Sequence, residues 1–175
     1  RFLDIGCGTG LGADTFAGLT AVRTGLDLSA GMLQKAAEKG LYDDLQQGDA
    51  LAWLAEATGT FDLVLAADVL PYCGDLEPLF TAIAGRLDPG GVFLCTTEKA
   101  ATGDYELQPT GRFAHGEEYL LATAAAAGMT PLASETVQLR RERGAWLEGG
   151  AYCLAMQQGG EDAGKLVENG RCGRI

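Results

Sequence analysis

The sequence of 175 residues predicts an α/β fold built on a mostly parallel sheet. Short apolar segments alternate with segments whose apolar residues follow the period of a helix, as in repeated strand-helix units. A glycine-rich loop joins the first strand segment to the first helical segment. The segment 61–67 is apolar almost throughout, which is typical of a parallel strand buried on both faces. The length suits one hydrophobic core and is a tight fit for two.

The chain opens on an apolar strand that runs into the glycine pattern Asp4-x-Gly6-x-Gly8-x-Gly10. Glycine adopts backbone angles closed to other residues and lets a ligand lie against the main chain. A strand, a glycine turn and a helix together predict a site for a nucleotide-like cofactor. A dinucleotide fingerprint would need a glycine where Leu11 stands, and the Gly-Lys-Ser/Thr of a P-loop is missing. Asp4 favours instead a cofactor that carries a cationic amino acid group.

Helical and strand patterns predict the other elements in order along the chain. The strands are expected over 22–28, 45–47, 61–67, 92–97, 130–140 and 151–156. The helices are expected over 11–19, 76–87 and 117–127, with a further helix capped by Ser29. Between the fifth strand and the helix at 117, the chain is expected to form a polar connection.

The order of these motifs over residues 1–98 resembles that of the class I S-adenosylmethionine-dependent methyltransferases. Two runs carry the resemblance beyond the glycine loop, Asp-Leu-Ser-x-x-Met-Leu at 27–33 and Arg-Leu-x-Pro-Gly-Gly-x-Phe at 86–93. The resemblance implies a Rossmann-like sheet of seven mostly parallel strands, with an antiparallel closing strand and helices on both faces. It also implies S-adenosylmethionine as the cofactor and S-adenosylhomocysteine as the product.

The same resemblance assigns cofactor-binding residues. Asp27 stands at the end of the second strand, where a carboxylate accepts the ribose hydroxyls, and Asp49 would lie beside the adenine amino group. Cys7 is expected to be a small packing residue of the loop, since no activating His or Lys lies near it in sequence. The full set is Asp4, Gly6, Cys7, Gly8, Gly10, Asp27, Leu28, Met32, Asp49, Ala50 and Ala66.

Methyl transfer needs a general base only if the acceptor must lose a proton before it attacks. His115 is the single histidine and the candidate for that role, because an imidazole titrates near neutral pH. The alternative is that His115 orders a helix start or a loop. Tyr72 and Arg112 are candidate substrate residues. Arg112 could pair with a carboxylate of the substrate or with one of a neighbouring loop.

The composition limits the classes of substrate and the cellular compartments that fit this protein. The formal net charge of −11 argues against a nucleic-acid substrate, and the run Arg-Arg-Glu-Arg at 140–143 is expected to be a solvated hairpin end. No apolar run is long enough to span a membrane, and the opening lacks a signal-peptide pattern. The five cysteines are scattered without a Cys-x-x-Cys pair, so we expect no metal site and a cytoplasmic chain.

Residues 1–157 are expected to form the S-adenosylmethionine-binding domain, and 158–175 a flexible tail. The first strand begins at once, so either the sequence starts downstream of the natural start, or the lid helices that precede this strand in the family are missing. Segments 40–45 and 107–115 resemble a bacterial tetratricopeptide-repeat-associated subgroup, and the first of them also resembles Williams-Beuren-region methyltransferase-like proteins.

These features predict an enzyme that methylates a small acceptor on oxygen, nitrogen or carbon. The alternatives are a non-catalytic cofactor-binding or interaction module associated with a repeat domain, and a nicotinamide oxidoreductase. The sequence makes no prediction of the oligomeric state.

Overall fold

The computed structural model describes residues 1–142 and 144–158. In that part of the chain, nine strands form one sheet and five α-helices connect them. The strands are β1 (Phe2–Ile5), β2 (Arg23–Asp27), β3 (Asp44–Gln47), β4 (Phe61–Ala66), β5 (Leu87–Lys99), β6 (Tyr105–Leu107), β7 (Phe113–His115), β8 (Met129–Glu142) and β9 (Ala145–Met156). The helices are α1 (Leu11–Thr15), α2 (Ala30–Lys39), α3 (Ala50–Glu56), α4 (Glu77–Ala84) and α5 (Glu117–Ala126), and a 3₁₀ turn spans Leu70–Tyr72.

The first five strands form a parallel sheet in the order β3-β2-β1-β4-β5. The chain order reverses on the two sides of β1, so the loops that follow β1 and β4 open a crevice at the carboxyl ends of the strands. β9 pairs antiparallel with β5 and with β8. β8 therefore lies outside β9 and runs in the same direction as the parallel strands. The predicted fold class, a mostly parallel α/β sheet with an antiparallel strand, is confirmed.

The sheet has two more strands than the seven expected. β6 and β7 form a short hairpin in the stretch expected to be a polar connection, and β7 also pairs with the end of β5. Tyr105 and Phe113 pack edge to face across this hairpin, with ring centroids 6.0 Å apart. Three-residue strands are too short to show an alternating pattern, so sequence periodicity could not reveal them.

Helix α1 ends at Thr15, whereas the apolar spacing predicted a helix to residue 19. The two leucines that suggested the longer helix are both exposed, Leu11 at 70% and Leu19 at 82%, so burial does not support the last turn. Glycines at 12 and 18 also weaken helix formation here. The β8–β9 hairpin is longer than predicted, because its strands continue through part of the expected connection at 141–150.

The main core lies between the sheet and helices α3, α4 and α5. Val64 and Ala66 of β4 and Phe93 of β5 face this side, and Phe80 of α4 meets Phe93 edge to face at 5.3 Å. The opposite face carries α1, whose Gly12 packs against Asp4 of β1 and Leu65 of β4. Helices therefore lie on both faces of the sheet, as expected.

Residues 159–175, most of the expected tail, lie outside the described residues. No helix in the described part of the chain is long and apolar enough to cross a membrane.

Candidate functional site

The glycine loop turns sharply between β1 and α1. Gly6, Gly8 and Gly10 all have left-handed backbone angles, with φ of 66°, 53° and 83°. At Gly6 a Cβ would also lie 2.5 Å from Cγ2 of Val69, in the loop that follows β4. Glycine is therefore required at this position both for its backbone angle and for the close approach of the two loops.

Asp27, at the end of β2, binds the glycine loop directly. Its Oδ2 accepts a hydrogen bond from the backbone N–H of Gly8 at 2.9 Å, and its Oδ1 accepts one from Ser29 at 2.8 Å. Ser29 in turn caps α2 by accepting from the N–H of Met32. Each carboxylate oxygen has a second lone pair, so Asp27 can still accept from a ligand hydroxyl.

Asp4 lies on β1 beneath the glycine loop and is 3% exposed. Oη of Tyr42 donates a hydrogen bond to its Oδ2 at 2.6 Å. Burial raises the pKa of Asp4 from its ordinary 3.8 to about 6, the hydrogen bond from Tyr42 opposes that rise, and the charge of Asp27 adds to it. Burial and the same two carboxylates raise the pKa of Cys7 to about 12, so this thiol is not an activated nucleophile.

Two cavities meet at the glycine loop. The first cavity, of 540 Å³, lies at the ends of β1, β2 and β3 and beside the loop after β4. The second cavity, of 610 Å³, is an open cleft lined mainly by the glycine loop, α1 and β8. Gly6, Gly8, Ala67 and Asp68 line both. A ligand that follows the glycine loop would pass from one cavity into the other.

Most of the predicted cofactor residues line these cavities. The first cavity brings together Gly6, Gly8, Asp27, Leu28, Met32, Asp49 and Ala50, along with the predicted substrate residue Tyr72. The second holds Asp4, Gly6, Cys7 and Gly8.

Gly10 and Ala66 line neither cavity. Gly10 precedes α1 as its N-cap. Ala66 is fully buried and faces the main core, whereas the next residue, Ala67, faces the cavities, because side chains alternate along a strand.

Asp49 caps α3, with Oδ1 accepting from the N–H of Ala52 at 3.0 Å. It therefore has a structural role in addition to its place in the first cavity.

Asp68 follows β4 and is the one non-glycine residue of the described chain with a left-handed φ, at 57°. Its N–H donates to Oγ1 of Thr96 at 2.9 Å, and its Oδ1 accepts from Nη1 of Arg140 at 2.9 Å. Arg140 also donates to Glu98, a carboxylate whose side chain is 5% exposed. Such strained backbone persists where the surroundings fix it, and here β5 and β8 do so.

This network corrects the expectation for the run 140–143. Arg140 is not a solvated hairpin end but crosses from β8 to pair with carboxylates after β4 and on β5. Its neighbour Arg141 does lie at the surface, over the ring of Trp146.

Tyr72 and Arg112 lie side by side at the edge of the first cavity. The Arg112 guanidinium stacks on the Tyr72 ring, 5.4 Å from its centroid, and Nη2 donates to Oη at 3.0 Å. The sequence left two partners possible for Arg112, a carboxylate of the substrate or a carboxylate of a neighbouring loop. Among the described residues Arg112 makes no hydrogen bond to a loop carboxylate, and it donates to the Tyr72 hydroxyl instead.

His115 is fully buried and lines neither cavity. It ends β7 instead of starting a helix. Its Nε2 lies 2.8 Å from the carbonyl oxygen of Cys73, and its Nδ1 lies 2.6 Å from Oγ1 of Thr97. Burial lowers the pKa of His115 below its ordinary value, so the neutral form predominates near pH 7. The structure thus gives this imidazole a role in holding the loop after β4.

Sequence reasoning missed Tyr42 and the β8 residues of the second cavity, such as Val137 and Leu139. Tyr42 belongs to the segment 40–45, whose sequence indicated only a family resemblance and not a site role. The β8 residues come from the far end of the chain, and no local motif marks them. No cluster of three or more potential metal ligands occurs among residues 1–142 and 144–158.

Comparison with known proteins gives a consistent picture. The family model described as a methyltransferase domain matches residues 3–95. Over 125 residues the chain is 35% identical to the ubiquinone biosynthesis O-methyltransferase of Brucella ovis, an alignment that covers 69% of this chain and 48% of that protein. The chain thus spans about half the length of this curated relative.

Solved structures share the fold. An S-adenosylmethionine-dependent methyltransferase of Methanosarcina mazei superposes with a TM-score of 0.71 at 16% identity, over 90% of this chain and 92% of that one. The magnesium protoporphyrin IX methyltransferase of Synechocystis, solved with bound S-adenosylmethionine, gives a TM-score of 0.67 at 18% identity, over 89% and 69%.

Proposed function

The chain belongs to the methyltransferase-domain family, and from that premise we propose that it binds S-adenosylmethionine and transfers its methyl group to a small acceptor. One observation carries the proposal. The first cavity gathers seven of the residues that the sequence motifs assign to this cofactor, although they come from the ends of three different strands. Two carboxylates, Asp27 and Asp49, converge there, and each has lone pairs for a ligand in addition to those used in its structural hydrogen bonds.

The residues of the chain bind and orient the cofactor. Asp27 accepts the ribose hydroxyls in addition to its bonds with the loop, and Asp49 accepts from the adenine amino group. Asp4, across the glycine loop in the second cavity, receives the ammonium of the amino acid part. S-adenosylmethionine supplies an electrophilic methyl group when bound. The protein contributes proximity and a site that excludes water.

The acceptor is a small molecule that is methylated on oxygen and is not a nucleic acid. The name of the matched curated relative, an O-methyltransferase of ubiquinone biosynthesis, supports oxygen as the atom. The net charge of −11 disfavours a polyanionic partner. Phe16, Leu65 and Leu139 give the second cavity an apolar side suited to an uncharged acceptor. Tyr72 and Arg112 remain the proposed substrate residues at the edge of the first cavity.

His115 remains the proposed general base, and its two ring nitrogens contact the carbonyl oxygen of Cys73 and the hydroxyl of Thr97. We also propose that the protein is cytoplasmic and that its methyltransferase domain ends at residue 157. A further proposal is that it is related to the tetratricopeptide-repeat-associated and Williams-Beuren-region proteins. Free thiols at all four cysteines of the described chain support the location.

The two alternatives are less favoured. A non-catalytic cofactor-binding or interaction module would share the first cavity, but the curated relative is named as an enzyme. A nicotinamide oxidoreductase would share the strand-loop-helix geometry, but the family match and the glycine spacing both point away from it.

Isothermal titration of the chain with S-adenosylhomocysteine and S-adenosylmethionine tests the proposal, with NADH as a counter-ligand. We expect micromolar affinity for the first two and none for NADH. Asp27→Ala should weaken binding at least about tenfold, since it removes hydrogen-bond acceptors for the ligand and for the loop.

Asp49→Asn is the second variant, because asparagine still caps α3 while the carboxylate leaves the cavity. Asp14→Asn, at an exposed position of α1 outside both cavities, is the control and should bind as the wild type does. Absence of binding to both S-adenosyl compounds would overturn the proposed function.

A further inference from the structure

Tyr42 connects the chain segment before β3 to the carboxylate beneath the glycine loop. Its Oη donates to Oδ2 of Asp4 at 2.6 Å, and it is the one hydrogen-bond partner of that side chain in the described structure. The ring is held on two sides by glycines. A Cβ at Gly10 would lie 3.1 Å from Cε2, and a Cβ at Gly25 would lie 2.9 Å from Cε1. The phenol is therefore fixed against the loop and β2.

Asp4 is a buried carboxylate, and no cation pairs with it among residues 1–142 and 144–158. The groups that titrate around it are Tyr42, Asp27 of β2 and Cys7 of the loop, and Gly12 of α1 packs against it beside Leu65 of β4. Lys39 of α2 lies near Gly10 but does not line the second cavity. The described lining of the second cavity contains no Lys, Arg or His. Buried charges in proteins are almost always paired. We therefore expect the Asp4 carboxylate to pair with a positive group of a bound ligand.

We propose that Tyr42 is a positioning residue that holds the Asp4 carboxylate, ionised and oriented, for the ammonium group of an amino-acid-bearing cofactor. This inference rests on the proposed function and adds a residue to it. A hydrogen bond from a neutral phenol stabilises the charged carboxylate without supplying the positive charge. A lysine or arginine in its place would compete with the ligand ammonium. The tyrosine thus keeps the carboxylate charged and leaves it free to bind.

This role predicts that binding affinity depends on pH only for ligands that carry the amino acid part. Affinity should fall as the pH drops through about 6, where Asp4 takes up a proton. Tyr42→Phe removes a group that favours the ionised form, so the carboxylate protonates at higher pH. The midpoint of the affinity loss should therefore move upwards, by about one pH unit on the usual strength of a hydrogen bond to a charged group.

The experiment is isothermal titration between pH 5.5 and 8 with two probes. S-adenosylhomocysteine carries the amino acid part, and 5′-methylthioadenosine lacks it. For Tyr42→Phe we expect about threefold weaker binding of S-adenosylhomocysteine at pH 6.5 and about eightfold weaker binding at pH 5.5, as the midpoint moves from about 6 to about 7. The affinity for 5′-methylthioadenosine should stay within about twofold of wild type at both pH values. Tyr105→Phe is the matched control, because the Tyr105 hydroxyl makes no hydrogen bond in the described structure and lies outside both cavities.

The outcomes separate the two claims. If Tyr42→Phe weakens both probes equally, Tyr42 only supports the fold of the loop, and the inference is overturned. An unchanged affinity and midpoint for S-adenosylhomocysteine overturn it as well, while the proposed function stands. If the wild-type chain binds neither S-adenosylhomocysteine nor S-adenosylmethionine, the proposed function fails and takes this inference with it.

Discussion

Replacing Asp4 by Asn should stabilise the protein at neutral pH although it damages the candidate site. Asp4 is 3% exposed, and its partner Tyr42 is a neutral donor. Asparagine has nearly the same shape, and its side-chain oxygen can accept the same hydrogen bond. The main change is the removal of a charge that folding takes out of water.

The pKa of Asp4 gives the size and the sign of the effect. Folding raises it from 3.8 to about 6, and one pKa unit corresponds to about 1.4 kcal/mol, so the ionised carboxylate costs the folded state about 3 kcal/mol. A raised folded-state pKa contributes stability that is fully present below pH 3.8 and is lost as the pH rises through 6. The cost is roughly half developed at pH 5 and complete by pH 8. The free energy of unfolding of Asp4→Asn, relative to wild type, should therefore grow by about 1.4 kcal/mol between these two values.

Urea unfolding at pH 5, 6, 7 and 8, followed by tryptophan fluorescence and circular dichroism, measures this difference. Other titrating groups, including His115, are common to both proteins and cancel in the comparison. Asp14→Asn removes an exposed carboxylate of α1 and should give a difference that stays nearly flat. A difference between Asp4→Asn and wild type that is constant or shrinks as the pH rises would refute the reasoning.

Four substitutions, in two matched pairs, test other contacts by the same urea measurement. Gly12→Ala should lower the free energy of unfolding by about 1–3 kcal/mol, because the new Cβ would meet the Asp4 carboxylate. Gly18→Ala, with open space around it, should be neutral or slightly stabilising. Equal effects of the two variants would count against the close packing of α1. Arg140→Met should cost about 3–5 kcal/mol, because Glu98 would stay buried without a cation, and a loss below about 1 kcal/mol would contradict this. Arg141→Met, at the exposed stack on a tryptophan, should cost no more than about 1 kcal/mol.

The parallel half of the fold was predictable because its signals are local. The glycine pattern at 6–10, the Ser29 cap and the apolar run at 61–67 each reflect a requirement within a few residues of chain. The cofactor residues at the ends of β1, β2 and β3 were predicted from the family resemblance, and the carboxyl ends of adjacent parallel strands meet at one edge of the sheet. Asp27 and Asp49 therefore line the same cavity.

The remaining features depend on contacts between distant segments. Asp4 and Tyr42 are 38 residues apart, and the Arg140 pair with Asp68 spans 72. Nothing near Arg140 in the sequence distinguishes it from the solvated Arg141 beside it. His115 shows the same limit, because nothing in the sequence around it reveals that its ring nitrogens contact the carbonyl oxygen of Cys73 and the hydroxyl of Thr97.

Asp4 brings the local and the distant signals together. Burying a carboxylate between a strand and a glycine of α1 breaks the rule that charges stay in water or are paired, and the folded protein bears that cost whenever the site is empty at neutral pH. Consistency among the other elements makes such an exception informative, since natural proteins retain local conflicts mainly where function requires them. A cationic ligand group would remove the conflict, because its charge stabilises the ionised carboxylate. The free energy that the buried Asp4 carboxylate costs the folded protein would then add to the free energy of ligand binding. The site would therefore discriminate against ligands that lack the cation.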